Sequence, residues 1–209
     1  MDVHASVADE RRRIADLIDV LSPAQLAAPS LCGGWTVQQV AGHLLAAIDA
    51  PPTPLLSLLV RSGFNLHRAN ARLAVLMADR PSHELATGLR ANADNPFQPP
   101  IVGYPGQLTD LQVHGQDIRR PLGLPHGLQS DRLEVSLKFL TSGRAIGFAP
   151  RRRLAGLHFV ATDLAWSWGT GPEVSGAAEA LMMAMTGRDT VLTELEGAGV
   201  DILTGRLKS

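Results

Sequence analysis

The chain has 209 residues, of which 45% are hydrophobic and 19% are charged. That length can bury a core, and the balance is typical of a globular protein of one or two domains. A formal net charge of −1 gives no electrostatic reason to expect nucleic acid or anionic lipid as a partner. The single cysteine, Cys32, excludes an internal disulfide and any multi-cysteine zinc site, so a bound metal would need mainly histidine and carboxylate ligands.

The N-terminal residues carry acidic side chains and lack the apolar core of a secretory signal. No stretch reaches the ~18 apolar residues that a membrane helix requires. We therefore expect a cytoplasmic protein without a membrane partner.

The first half of the chain reads as successive helices. Apolar residues recur at three- and four-residue steps over 5–21, which predicts an amphipathic helix that Ser22 and Pro23 end. Thr36 and Gln39 have the spacing of a capping box, which predicts a helix from there to about residue 50. A long pattern over 55–77, weakened at Gly63, predicts the next helix, and a shorter one follows to about residue 93.

Residues 94–106 are dense in proline and glycine and predict a loop, which is followed by a helix over about 107–120. Ser130 is expected to cap a further helix through about residue 141. An antiparallel bundle is the simplest way to bury so many apolar helix faces.

The pattern changes after Pro150. Residues 157–163 and 164–168 predict two strands, and 169–172 predict a turn. Ser175 is expected to cap a helix that ends at Gly187, before a short helix over 190–196. We therefore predict a mainly α fold, with a helical bundle over 1–149 and a small α+β region over 150–209 packed on it.

One stretch concentrates groups that can bind a metal. Asp110, His114 and Asp117 stand at i, i+4 and i+7, on one face of the predicted helix. His43, beside the apolar stripe of an earlier helix, is the natural fourth member. His43, Asp110 and His114 would together form a set of two histidines and a carboxylate, which is common in catalytic metal sites.

Plainer interpretations exist for the same residues. Asp110 and His114 could be an ordinary helix-surface pair, and Asp117 could be a solvated charge paired with Arg119 or Arg120. Asp117 could instead orient a ligating histidine by accepting a hydrogen bond from its second ring nitrogen.

Cys32 could be a thiolate stabilised by the following helix N-terminus, or a small packing residue. A serine, threonine or cysteine nucleophile remains open, although no Gly-x-Ser-x-Gly elbow occurs in the chain.

Three blocks of the sequence carry a family resemblance. The first comprises residues 21–26, 29–37 and His43, and the second is the segment Asp110-x-x-x-His114 with its continuation to residue 118. The third comprises residues 156–163, 171–174 and 185–188. Together they resemble the mycothiol-dependent maleylpyruvate isomerase family, a branch of the DinB-like metal-binding bundles.

The resemblance implies a four-helix bundle that binds a divalent metal, usually zinc, through His43, Asp110 and His114. The isomerase has glutamate at the position of Asp110. The family's metal activates the thiol of mycothiol, which then adds to an electrophilic substrate. This predicts a mycothiol-dependent isomerase or S-transferase acting on a small molecule.

The competing prediction is a helical bundle that binds a small ligand or a metal without turnover. Bundles of this kind often pair through exposed helix faces. The Leu-rich residues 55–60 are therefore one surface through which a homodimer could form.

Overall fold

The structure, a computed structural model, describes residues 1–49, 57–58, 60–63, 65–125 and 127–208. Its described residues are mainly helical, with one small three-stranded sheet near the C-terminus. They form two compact units. The first, here the N-terminal unit, comprises Asp2–Phe97 and His114–His126, and the second, the C-terminal unit, comprises Met1, Gln98–Val113 and Gly127–Ser209. The predicted division at residue 149 stays a prediction.

The N-terminal unit contains the helices whose bounds follow, further helical residues at 57–58 and 60–61, and the end of a later helix over residues 114–119. Helix α1 spans Val3–Val20, α2 Pro23–Ala27, α3 Val37–Asp49, α4 Leu66–Ala78 and α5 Ser82–Ala91. Helix α3 packs against α4 and α5, and α1 packs against α5. The core side chains include Val7, Ile14, Ile18, Val37, Val40, Leu44, Leu45, Leu73, Leu85 and Leu89.

Local capping explains where these helices begin. Asp2 accepts hydrogen bonds from the backbone of His4 and Ala5, which starts α1 two residues before its predicted first residue. The predicted capping box of α3 is confirmed. The Thr36 hydroxyl accepts from the Gln39 amide at 3.3 Å, and the Gln39 side chain accepts from the Thr36 amide at 3.0 Å. This box fixes the register of α3 and therefore the position of His43 on it.

The prediction of one continuous helix over 55–77 is wrong at Gly63. That residue has a left-handed φ of +61°, and Asn65 then caps α4 by accepting from the Arg68 amide at 3.0 Å. Residues 55, 56 and 59 lie outside the described residues, so the dimer surface predicted over 55–60 stays a prediction.

Gly42 lets α3 approach α4 closely. A Cβ atom at this position would lie 2.7 Å from the Ala74 carbonyl oxygen and 2.9 Å from the Ala78 nitrogen, both backbone atoms that cannot turn aside. We expect Gly42→Ala to lower the free energy of unfolding by about 1–3 kcal/mol, because the two helices must separate. Urea denaturation measures this change.

Gly205→Ala is the matched control for that experiment. A Cβ at Gly205 meets no heavy atom within 4 Å, and the residue is helical. Alanine there should raise stability by about 0.5–1 kcal/mol, since glycine loses more backbone entropy on folding. Equal shifts of the same sign in both variants would contradict the close-approach argument.

The C-terminal unit combines helices with the sheet. Helix α6 spans Gly103–Arg119 and passes from this unit into the N-terminal unit at residue 114. Helix α7 spans Ser130–Thr141, α8 Arg151–Leu154, α9 Ala178–Met185 and α10 Val200–Leu207, with a 3₁₀ helix over Asp189–Glu194. Strands β1 (His158–Ala161), β2 (Ser167–Gly169) and β3 (Glu173–Gly176) form a sheet in the order β2-β1-β3. Helix α9 packs against α7, β1 and β3.

Two predicted boundaries in this unit are wrong. Residues 103–106, predicted as loop, form the first turn of α6, because proline is tolerated there, where its missing N–H has no partner to lose. Ser175 does not cap a helix: it lies in β3, which pairs in parallel with β1, and the helix begins only at Ala178. Among the described residues, no helix is both long and apolar enough to cross a membrane.

Helix α6 is unusual in what it buries. Every residue from 111 to 118 is buried, although the helix is rich in polar side chains. Thr109, Gln112, Gln116 and Asp117 are each 0% exposed. Buried polar side chains need hydrogen-bond partners; the Ser136 hydroxyl, for example, donates to Gln112 Oε1 at 2.5 Å. The polar side chains of this buried helix therefore have to find their partners inside the fold.

Candidate functional site

His43 and His114 meet inside the N-terminal unit. His43 lies half-buried on α3, and His114, 8% exposed, lies on the last part of α6. Their ring centroids are 4.8 Å apart, with the rings inclined at 68° in an edge-to-face arrangement. The predicted approach of His43 to the α6 face is therefore present.

The indole of Trp35 lies beside both imidazoles, with ring centroids 5.2 Å from His43 and 6.3 Å from His114. The turn before α3 holds Trp35 in place. Its carbonyl accepts from the backbone and the hydroxyl of Ser30, each at 2.9 Å, and its amide donates to the Cys32 carbonyl at 3.0 Å. Sequence reasoning did not place Trp35 here, because it precedes the helix and follows no helical spacing.

Asp117 orients the His114 ring. The Nδ1 atom of His114 donates to Asp117 Oδ2 at 2.9 Å, and Asp117 is 0% exposed. Asp117 is therefore not the solvated charge that was considered as an alternative. An imidazole held in this way through Nδ1 presents Nε2 to a further partner, as metal-ligating histidines commonly do.

Asp110 lies one helical turn before His114 on α6 and is partly exposed. A carboxylate oxygen of Asp110 and a ring nitrogen of His114 lie within 4.8 Å of each other, and so do ring nitrogens of His43 and His114. His114 thus belongs to both pairs. The continuous helix between residues 110 and 114 fixes Asp110 relative to His114.

Cys32 also lies close to His114. The Cys32 sulfur, a ring nitrogen of His114 and a carboxylate oxygen of Asp117 lie within 4.8 Å of one another. The backbone amide of Leu31 donates to the Asp117 carbonyl at 3.1 Å, which holds the Cys32 turn against α6. The sequence gives no spacing signal for this contact, since 85 positions separate Cys32 from Asp117.

Arg119 is the positive charge nearest along α6. Its burial lowers the pKa of the guanidinium below the ordinary arginine value, while Glu10 partly opposes that shift. Its Nη1 donates to the Gly115 carbonyl at 3.4 Å, so Arg119 lies along its own helix beyond His114.

Comparison with known proteins finds a match to one family model and to one solved structure. Residues 7–95 match the model described as the mycothiol maleylpyruvate isomerase N-terminal domain. No curated protein matches the chain. Among solved structures, the chain is similar to a crystal structure of a histidine-to-alanine mutant of the mycothiol-dependent maleylpyruvate isomerase. The TM-score is 0.56 and the identity 13%, over 95% of this chain and 93% of that one.

At 13% identity the structural likeness concerns the fold alone, and it confirms the predicted class: a DinB-like helical bundle with a small C-terminal α+β region. The predicted family resemblance is likewise confirmed, in the segment that carries Cys32, Trp35 and His43. The family evidence for this chain is thus the match of residues 7–95 to the mycothiol maleylpyruvate isomerase N-terminal domain.

Proposed function

We propose that this protein is a metal-dependent enzyme that uses a low-molecular-weight thiol, mycothiol, to modify a small electrophilic substrate by transfer or isomerisation. The observation that carries the proposal is the pairing of His114 Nδ1 with the buried Asp117, next to the His43 ring, whose centroid lies 4.8 Å from that of His114. A buried carboxylate that orients an imidazole is the usual support of a metal-ligating histidine.

The donor set fits a divalent metal. His43, Asp110 and His114 would hold it through two imidazoles and one carboxylate, and zinc accepts this set with a coordination position left open. When bound there, such a metal lowers the pKa of a thiol that binds it, so that the thiolate exists at neutral pH.

The chain's own residues position the reactants. Asp117 keeps the proton on His114 Nδ1 and fixes the ring orientation, while the Trp35 indole lies against both histidines and restricts their rotation. The capping box at Thr36 sets the register of His43. These constraints hold the ligands ready before the metal binds, which reduces the entropy lost on binding.

The choice of mycothiol as the thiol rests on the family match over residues 7–95. The cytoplasm, where low-molecular-weight thiols stay reduced, is the proposed setting. The proposed substrate is a small molecule that carries an electrophilic carbon, either an activated double bond or a carbon bearing a leaving group.

Metal analysis and thiol consumption test the proposal together. We expect about one divalent metal per chain, with mycothiol consumed faster than in the uncatalysed reaction for at least one electrophile of a panel. His43→Ala should lower that rate by about 100-fold or more, beyond the usual loss of an orienting residue. His83→Ala, an exposed histidine on α5, is the control and should match the wild type.

The alternative is a helical bundle that binds a metal or a small ligand without turnover. A stoichiometric metal, together with thiol rates equal to the uncatalysed rate for every electrophile, would favour it. If the wild-type protein holds no divalent metal and His43→Ala consumes thiol as fast as the wild type, the metal-dependent mechanism is wrong.

A further inference from the structure

Cys32 stands beside a histidine and a carboxylate that already bond to each other. Its sulfur lies within 4.8 Å of both a His114 ring nitrogen and an Asp117 carboxylate oxygen, and His114 Nδ1 lies 2.9 Å from Asp117 Oδ2. All three residues belong to the N-terminal unit. One sulfur, one nitrogen and one oxygen donor at this separation match the ligand types that bind zinc and other thiophilic cations.

The turn that carries Cys32 is rigidly held. Pro29 pairs with Thr36 in an isolated antiparallel bridge, and the Ser30 hydroxyl accepts from the Cys32 amide at 3.1 Å. The Leu31 amide joins this turn to Asp117 of α6. The sulfur donor is therefore positioned by the backbone and need not be recruited from a mobile loop.

The same turn leaves the Cys32 sulfur accessible to a cation from solvent. Cys32 is half-buried, and the next two residues, Gly33 and Gly34, are exposed. A Cβ built at either glycine meets no heavy atom within 4 Å. An ion can therefore reach the sulfur from the solvent side without displacing a side chain at these two positions.

We propose that Cys32, His114 and Asp117 form a second, sulfur-containing metal site that takes a thiophilic cation such as Zn²⁺ or Cd²⁺. The cation takes the place of the proton between His114 Nδ1 and Asp117 Oδ2 and binds the Cys32 thiolate as its third protein ligand. When it binds, the Cys32 thiol proton passes to solvent and His114 stays a neutral imidazole with its proton on Nε2 instead of Nδ1, so one molecule fills either this site or the set of the proposed function.

This site is separate from the set in the proposed function. The two sets share only His114, which faces Asp117 through Nδ1. The ligand types also differ, because a thiolate selects soft cations and rejects magnesium and calcium, whereas two imidazoles and a carboxylate accept a wider range. The sulfur site therefore does not need His43 or Asp110.

Cobalt substitution tests the proposal directly. Cys32 is the chain's single cysteine, so a near-ultraviolet thiolate-to-cobalt charge-transfer band can only come from it. We expect the band when Co²⁺ is added to the wild type and to His43→Ala, and its loss in Cys32→Ser. A wild type that binds Co²⁺ without the band, or a band that disappears in His43→Ala, would overturn the second site.

Alkylation of the wild-type protein keeps the test independent of how Cys32→Ser folds. At a Zn²⁺ concentration about 100 times its Kd, only roughly one molecule in a hundred keeps a free thiol, so iodoacetamide should react about 100-fold more slowly. The same concentration of Mg²⁺ should leave the rate unchanged. If Zn²⁺ slows alkylation of Cys32 equally in Asp117→Asn and in the wild type, the role of Asp117 as a ligand is contradicted.

The outcomes also separate this proposal from the proposed function. Cys32→Ser that keeps one divalent metal and full thiol consumption, while the charge-transfer band is lost, supports both proposals. If the wild type binds a divalent metal and consumes thiol but shows no charge-transfer band, the sulfur site is wrong and the proposed function stands. If the wild type shows the charge-transfer band but consumes no thiol, the proposed enzymatic function is wrong and the sulfur site stands.

Discussion

His114→Ala is expected to abolish metal binding more completely than any other single substitution in the chain. His114 is the residue that pairs with His43, with Asp110 and with the Cys32–Asp117 side of the site. Its loss removes a ligand from both proposed sets at once. We expect the metal affinity to fall by more than the roughly 10- to 100-fold typical of an orienting residue, and thiol consumption to fall to the uncatalysed rate.

Graded variants distinguish this role from simple structural damage. Asp117→Asn keeps the size of the side chain but removes its charge, so it should lower metal affinity by about 10- to 100-fold without abolishing binding. His114→Ala also leaves the buried Asp117 with one hydrogen-bond partner fewer, which should cost about 1–3 kcal/mol of stability. Isothermal titration with Zn²⁺ and urea denaturation measure the two effects separately. Metal affinity that is equal in His114→Ala and in the His83→Ala control would contradict both metal proposals.

Helical spacing was enough to predict the pairs that lie on one helix. Asp110, His114 and Asp117 share a face because the helical repeat requires it, and the structure shows a hydrogen bond between the last two, which was one of the alternatives considered for Asp117. The capping box was equally local, because Thr36 and Gln39 lie three residues apart. The association of His43 with this face came from the chemistry of the residue types and from the family resemblance; the structure shows its ring beside that of His114, and the metal set stays a prediction.

Long-range pairing accounts for what the sequence could not show. Strand β3 exists because residues 173–176 pair with β1 some fifteen positions earlier, whereas the Ala- and Met-rich pattern that begins at Ala177 led to the prediction that Ser175 caps a helix. Cys32 reaches Asp117 through a turn closed by the hydroxyl of Ser30 and by one backbone bond from Leu31. Neither contact has a periodic signal in the sequence, so only the structure shows that the Cys32 sulfur lies near His114 and Asp117.

The buried arginine of α1 has the second large expected effect. Arg11 is 2% exposed, and its Nη1 donates to the carbonyls of Asn92, Ala93 and Asn95 at 3.1, 2.9 and 3.4 Å. These carbonyls lie in the segment that follows the end of α5. The Arg11 guanidinium therefore hydrogen-bonds the backbone after α5 and holds this segment against α1.

Arg11→Met keeps much of the side-chain length but removes every donor. We expect a loss of about 3 kcal/mol, because three hydrogen bonds from a charged group are removed and the buried Ala93 carbonyl loses its guanidinium donor. For a chain of this size, that corresponds to a fall in Tm of roughly 6–12 °C. Thermal and urea denaturation followed by circular dichroism provide the measurement.

The neighbouring Arg12 gives a matched control. It forms an ion pair with Asp94 in the same segment, but the two side chains are 46% and 71% exposed. Exposed pairs contribute about 0–1 kcal/mol, so Arg12→Met should change Tm little. Arg11→Lys should fall between the two, because an ammonium lacks the planar fork that reaches several carbonyls. Equal falls in Tm for Arg11→Met and Arg12→Met would show that the buried guanidinium does not hold α1 to the end of α5. The expected order of Tm values would instead assign that stability to the carbonyl contacts of Arg11.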